Sequence, residues 1–223
     1  MGGKEMRFKM KKIKKEYYFI AILFILFILL TIFVVVGNAS LIDENFYNEI
    51  IKLKNNTLTN ILYVITNLAS TIGIISLVIL TSIVFIRRKK VSSLKYVILN
   101  VLSGVFLMQI LKNIIRRVRP PWKWIKQGGF SYPSGHTISA LLLYGTIILL
   151  VSKKYNGKYK KQIIILSSAM IILTGISRIY FGAHYLSDVI ASTLLGTIIL
   201  IISGLLMDKE SKDNDKDKIK KSI

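Results

Sequence analysis

From Tyr17 to Val36 the chain runs for 20 residues without a charge. A helix needs about 20 apolar residues to cross a hydrocarbon core of about 30 Å. Inside that core every backbone amide must be satisfied within the chain, so a spanning segment is a helix or part of a closed barrel. Five more apolar runs follow, at 58–86, 96–115, 137–151, 163–180 and 185–207. The runs 137–151 and 163–180 are short, but only Ser152–Gln162 separates them, and a hairpin of two slightly extended helices accommodates both. The expected fold is all-α: a polytopic membrane protein with six transmembrane helices in a bundle. Its expected parts are a basic N-terminus, 1–16, a six-span domain, 17–207, and a charged tail, 208–223. The tail alternates Lys and Asp and reads as disordered.

The first run exceeds the roughly 7–15 apolar residues of a cleaved signal sequence. Gly37-Asn38-Ala39 only faintly resembles a cleavage site, so the run is read as a retained span. Residues 38–57 are polar and mixed in charge, with Asp43, Glu44, Glu49, Lys52 and Lys54 among apolar residues at helical spacing. That pattern predicts a short amphipathic helix at the membrane interface.

The net charge is +21. On a soluble chain such a charge suggests nucleic acid. Here the cations lie in short clusters between apolar runs, which is a topology signal and argues against a nucleic-acid partner. Of 32 Lys and Arg, 23 fall before the first run, in 87–95, in 153–161 or in the tail. The positive-inside rule therefore puts both termini in the cytoplasm. A composition rich in Ile, Lys and Asn hints at an AT-rich bacterial genome, and the expected location of a polytopic chain from such a source is the bacterial inner membrane. One oddity remains: the external loop 116–135 and its approach are also rich in cations, and a translocated loop avoids cations unless something needs them. Trp122 and Trp124 in that loop read as interface anchors. There is no Cys, hence no disulfide and no thiolate metal site.

Ser177–Asp188 interrupts the apolar pattern with Arg178, His184 and Asp188, the last being the only acid read as embedded among the apolar runs. Each such residue at membrane depth costs about 2.5–3.5 kcal/mol on insertion scales. A snorkelling arginine or a loop histidine explains each residue alone but not the three together. The six-span topology brings two further stretches to the same extracytoplasmic face. Lys112 and Arg119 are seven residues apart, nearly two helical turns, and can share a face. Two cations on one rigid element suit a phosphate, and a solvated or headgroup-binding helix end fits them equally well. Pro133-Ser134-Gly135-His136 opens the fourth span. There, helix N-terminal amides, the close approach Gly135 allows and the Ser134 hydroxyl suit an anion. His136 is the only histidine besides His184. His184 and Asp188, four apart, are neighbours on a helix face. A carboxylate on one ring nitrogen leaves the other free as a nucleophile. Two His and one carboxylate leave a zinc site formally open, although three nearby cations argue against it.

Lys112-x6-Arg119-Pro120, Pro133-Ser134-Gly135-His136 and Ser177-Arg178-x5-His184-x3-Asp188 resemble the three-part signature of the type-2 phosphatidic acid phosphatase superfamily, in its membrane lipid phosphate phosphatase branch. The resemblance implies a helical bundle and metal-independent hydrolysis of a phosphate ester, with no cofactor. It implies that His184 attacks phosphorus to form a phosphohistidine, that Asp188 orients His184, and that His136 protonates the leaving oxygen. Lys112, Arg119, Ser134, Gly135 and Arg178 would hold the phosphoryl oxygens. The expected substrate is a lipid phosphomonoester or diphosphate: undecaprenyl diphosphate, phosphatidylglycerol phosphate or phosphatidic acid. A phosphotransferase using the same phosphohistidine and a non-catalytic anion- or lipid-binding membrane protein are the competing functions. No protein partner is identifiable from the sequence.

Overall fold

The computed structural model of the protein describes the backbone of residues 2–221 and the side chains of residues 15–211. Within those residues the regular structure is helical: α1 (Gly2–Val35), α2 (Ser40–Ile51), α3 (Asn56–Leu68), α4 (Thr71–Arg87), α5 (Val91–Ile115), α6 (Gly135–Lys154), α7 (Lys160–Tyr180) and α8 (Leu186–Lys221). Five stretches are long and apolar enough to cross a membrane: Lys15–Val35, Val91–Ile115, Gly135–Lys154, Lys160–Tyr180 and Leu186–Ser211. A sixth crossing follows if α3 and α4, bent by 62° at their junction, count as one span.

That bend divides the apolar run 58–86 into two helices. The cause is local. Ser70 is extended and caps α4, its hydroxyl accepting from the Gly73 amide at 3.1 Å. Such a cap starts a new helix rather than continuing the old one. The start of α4 then comes so close to the end of α3 that a Cβ on Gly73 would lie 2.4 Å from the carbonyl oxygens of both Asn67 and Leu68. Only glycine fits there.

The tail also departs from expectation, because α8 continues as helix to Lys221. Extending an existing helix avoids the cost of a new nucleus. Residues 208–221 contain no Gly or Pro to stop it.

α6 is the central helix and packs against α5, α7 and α8. Residues on all its faces are buried, among them Ile138, Leu141, Leu142, Thr146 and Leu150. Small residues let its neighbours approach: Leu142 of α6 fills the space beside Gly104 of α5, and Leu141 that beside Gly196 of α8. Mid-bundle, Asn100 of α5 donates to Thr146 of α6 at 2.8 Å and to Ser203 of α8 at 3.0 Å, satisfying a buried amide that lipid could not.

The ends of α5 and α7 and the starts of α6 and α8 meet at one end of the bundle, where α2 and the 116–134 loop cover them. The two loop tryptophans pack on protein there. Trp124 donates its indole N–H to the Tyr180 carbonyl at 3.1 Å and lies against Phe181, ring centroids 5.0 Å apart. Trp122 stacks on Tyr47 of α2 at 5.1 Å. The predicted amphipathic helix is α2, and its inner face buries Asp43 and Tyr47.

Gly73→Ala should destabilise the protein by about 1–3 kcal/mol, as overpacking against backbone does. A fall in thermal unfolding temperature in detergent, with assembly otherwise intact, checks this.

Candidate active site

The approach to the site begins where α5 stops. Arg116 ends α5 in a left-handed conformation, φ 50°, and turns the chain into the loop. Arg119 then reaches inward. Its Nη1 donates to the Ala183 carbonyl at 2.7 Å, its Nε to Gly128 and Gly129 carbonyls at 3.1 and 3.0 Å, and its Nη2 to Gly128 at 2.9 Å. The guanidinium thus ties the loop to the turn after α7. Lys112, on the last turn of α5, donates to the Phe130 carbonyl at 2.5 Å.

The turn after α7 is made by Gly182, φ 61°, whose missing Cβ leaves room for Trp122. His184 follows and is buried, at 2% exposure. Its Nε2 lies 3.0 Å from Arg119 Nη1, and its Nδ1 3.3 Å from Asp188 Oδ2. Arginine can only donate. Nε2 therefore carries the lone pair and Nδ1 the proton, which is donated to Asp188. Burial first, then the neighbouring cations, push the imidazole down to about 3 against the opposing pull of Asp188, so it is neutral at pH 7.

Asp188, on the first turn of α8, has no exposed surface. Its Oδ1 accepts from Arg117 Nη1 at 2.7 Å. Its Oδ2 accepts from the Tyr185 amide at 3.1 Å and from the Ser131 hydroxyl, besides His184. Every acceptor position that burial strips of water is thus matched by a donor.

A cavity of about 620 Å³ opens beside these groups. Lys112, Arg119, Gly135, His136 and His184 line one part of it. Ile74 and Ile75 of α4 with Val101, Leu102, Val105 and Met108 of α5 line another. Three of the predicted site residues stand behind its wall. Asp188 backs His184. Ser134 is fully buried and caps α6, accepting from the Thr137 amide at 3.4 Å and sharing a 2.9 Å hydrogen bond with the Thr137 hydroxyl. Arg178 donates to Thr66 of α3 at 2.5 Å and to Gln127 Oε1 at 2.9 Å, while its buried Nε has no hydrogen-bond partner. Gln127 itself lines the cavity, so Arg178 lies one residue behind it.

The PAP2 superfamily model matches residues 93–212, over half of the chain and all three motifs. The chain belongs to the PAP2 superfamily. It is a phosphatase of that superfamily, as its relatives indicate. It is 27% identical to phosphatidylglycerophosphatase B of Bacillus subtilis, over 81% of this chain and 90% of that one. It is 28% identical to the undecaprenyl-diphosphatase of Sulfolobus acidocaldarius, over 85% and 91%. Among solved structures it resembles the transmembrane PAP2-type phosphatidylglycerolphosphate phosphatase from Bacillus subtilis, with TM-score 0.78 and 25% identity, covering 85% of this chain and 96% of that one.

Two residues of this PAP2 site escaped the motifs. Asp188 is not the only acid buried in the chain: Asp43 of α2 is 1% exposed. Arg117, within the first motif but not one of its defining positions, bridges the two, with Nη2 2.7 Å from Asp43 and Nη1 2.7 Å from Asp188. Burial opposes the Arg117 charge, but the two carboxylates outweigh it and raise its proton affinity. The surplus of cations in the loop was the one available signal. Nothing in the pattern of 38–57 separates Asp43 from Glu44.

Arg119→Lys should lower stability by about 1–3 kcal/mol, because an ammonium cannot serve four acceptors spread across a fork and leaves buried carbonyls unpaired. A drop in the unfolding temperature of the detergent-solubilised protein checks this.

Proposed function

We propose that this protein hydrolyses a lipid phosphate, phosphatidylglycerol phosphate first among the candidates, through a phosphohistidine and without a metal ion. The observation that carries the proposal is the two-part lining of the cavity. One part offers two histidines, a lysine and an arginine, and the other is mainly apolar, formed by Ile74 and Ile75 of α4 with Val101, Leu102, Val105 and Met108 of α5. An amphiphile with a phosphate head matches both parts at once. The names of the Bacillus relative and the solved neighbour favour phosphatidylglycerol phosphate. The archaeal relative makes undecaprenyl diphosphate the next candidate.

In this reading the His184 Nε2 lone pair attacks phosphorus, and the bond from phosphorus to the ester oxygen breaks. His136 gives its proton to that oxygen. It then takes a proton from the water that attacks the phosphohistidine, releasing phosphate and restoring His184. Asp188 holds Nδ1–H and balances the charge that develops on the ring. Lys112 and Arg119 meet the phosphoryl oxygens from the cavity wall. Gly135 and the α6 N-terminus supply amides. Ser134 acts through the cap it forms, and Arg178 acts from behind the wall by holding Gln127, which lines the cavity. Phosphate-monoester hydrolysis requires accelerations of up to about 10²¹, and general acid–base help supplies only about 10²–10⁴. The covalent route and the fixed cations carry the remainder. The same cations disfavour a metal beside the histidines.

The purified protein should release phosphate from phosphatidylglycerol phosphate faster than from undecaprenyl diphosphate or phosphatidic acid, and EDTA should leave the rate unchanged. His184→Ala should lose about 10³-fold or more in kcat while keeping its unfolding temperature. A variant with near-normal turnover overturns the assignment of the nucleophile, and EDTA inactivation reversed by Zn²⁺ overturns the metal-free route.

We further propose an extracytoplasmic site in a bacterial inner membrane with both termini in the cytoplasm, on the strength of the charge bias. The chain has no Cys, which makes the test direct. In intact cells an impermeant maleimide should label Lys123→Cys and not Lys89→Cys, and the reverse pattern inverts the topology.

A further inference from the structure

The strongest unexplained feature is a charged cluster just behind the proposed nucleophile. Asp43 accepts three hydrogen bonds: from Arg117 Nη2 at 2.7 Å, from the Ser187 amide at 2.9 Å and from the Ser187 hydroxyl at 2.7 Å. Arg117 in turn donates through Nη1 to the Ser187 hydroxyl and to Asp188 Oδ1, each at 2.7 Å. The ring of Tyr185 covers the guanidinium, its centroid 3.9 Å from Cζ. Arg117 is therefore held by two carboxylates, a hydroxyl and an aromatic face, and so has one orientation. None of these groups except Asp188 lies in the three motifs' defining positions. Asp43, on α2, lies outside the 93–212 match altogether.

We propose that Asp43 is a positioning residue for the phosphatase reaction, acting through Arg117 and Ser187 on the Asp188–His184 pair. The proposal rests on the reading of His184 as nucleophile and Asp188 as its partner.

Two physical effects connect Asp43 to that pair. The first is orientation. Arg117 claims Oδ1 of Asp188, which leaves Oδ2 for Ser131, the Tyr185 amide and His184 Nδ1. A carboxylate free to rotate would offer either oxygen and would not keep the ring in one pose. Asp43 fixes Arg117 from the far side, and by binding the Ser187 amide it also fixes the first turn of α8, on which Asp188 stands. The second effect is charge. A second buried carboxylate beside Asp188 with no cation between them would be repulsive, and a cation beside Asp188 alone would neutralise it in full. With Arg117 shared between Asp43 and Asp188, only part of its charge is directed at Asp188, and the carboxylate keeps its hold on the Nδ1 proton. Hydrogen bonds of this charge-assisted kind are the strong ones, and they lose most when one partner is removed.

The chain's two histidines make a direct test feasible. Detergent-solubilised protein labelled with ¹⁵N-histidine should show His184 as the Nδ1–H tautomer. In Asp43→Asn and in Arg117→Lys, which keeps the cation but loses the fork, the His184 signals should move toward a mixture of tautomers. With the lipid substrate, Asp43→Asn should lower kcat by about 10- to 100-fold, the scale of a small misplacement of reacting groups, and change KM by less than about threefold. Made in an Asp188→Asn background, Asp43→Asn should cost less than about twofold more, because its route of action is already gone. A general packing role predicts instead that the two losses multiply and follow the fraction of folded protein. The proposal is overturned by an unchanged His184 spectrum together with unchanged kcat, or by fully multiplicative losses. If Asp43→Asn fails to fold, Arg117→Lys decides by the same readouts. If the wild-type protein releases phosphate from no lipid, the functional reading fails, and the tautomer spectra still decide the role of Asp43. If the wild type is active, His184→Ala is dead and Asp43→Asn behaves as wild type, only the proposal made here fails.

Discussion

The Asp188 carboxylate has no exposed surface, and most of this end of the molecule exists to satisfy it. Leaving a buried charge without its partner costs about 3–5 kcal/mol. Lipid offers no donors, so the protein supplies four: Arg117, Ser131, the Tyr185 amide and the His184 ring. They come from the loop after α5, from the turn before α8 and from His184 at its edge. The loop is held down by Arg119, which grips carbonyls at Gly128, Gly129 and Ala183. The turn is held down by Trp124 on Tyr180 and Phe181. Meeting the needs of one anion therefore orders some twenty residues that have no regular structure of their own.

The same arrangement accounts for the cations gathered in the 116–134 loop and its approach. Arg117 is consumed by Asp43 and Asp188, and Arg178 is sequestered by Thr66 and Gln127. Lys112 and Arg119 alone among the motif cations line the cavity. Cations that look equivalent along the chain thus differ in whether they reach the cavity, and only their three-dimensional partners distinguish them.

Much of the architecture is legible in the sequence, because the bilayer imposes a simple rule on apolar length and because Lys and Arg mark the ends of spans. The helices α5, α6, α7 and α8 and the meeting of three polar stretches follow from those two signals. The break at Leu68–Ser70 does not. It depends on a serine cap and a glycine contact that leave the hydropathy of 58–86 unbroken. The motif residues were legible as types and spacings, but their division into cavity-lining and backing groups was not. Ser134 shows the limit: its hydroxyl suits an anion in a motif, yet in the fold it caps α6. Asp43 shows another. Its partners, Arg117 and Ser187, lie 74 and 144 residues away, and no local pattern marks it.

The position of α2, α3 and α4 in this scheme bears on how separable the chain is. All three motifs fall within 93–212, which resembles a self-sufficient cassette. Yet Asp43 anchors the start of α8, Thr66 holds Arg178, and Ile74 and Ile75 wall the cavity. The leading helices thus contribute both ionic and apolar parts of the site, so the motif-bearing half is not a transplantable module. A hybrid joining it to the leading helices of a relative would inherit the reacting groups without the framework that holds them.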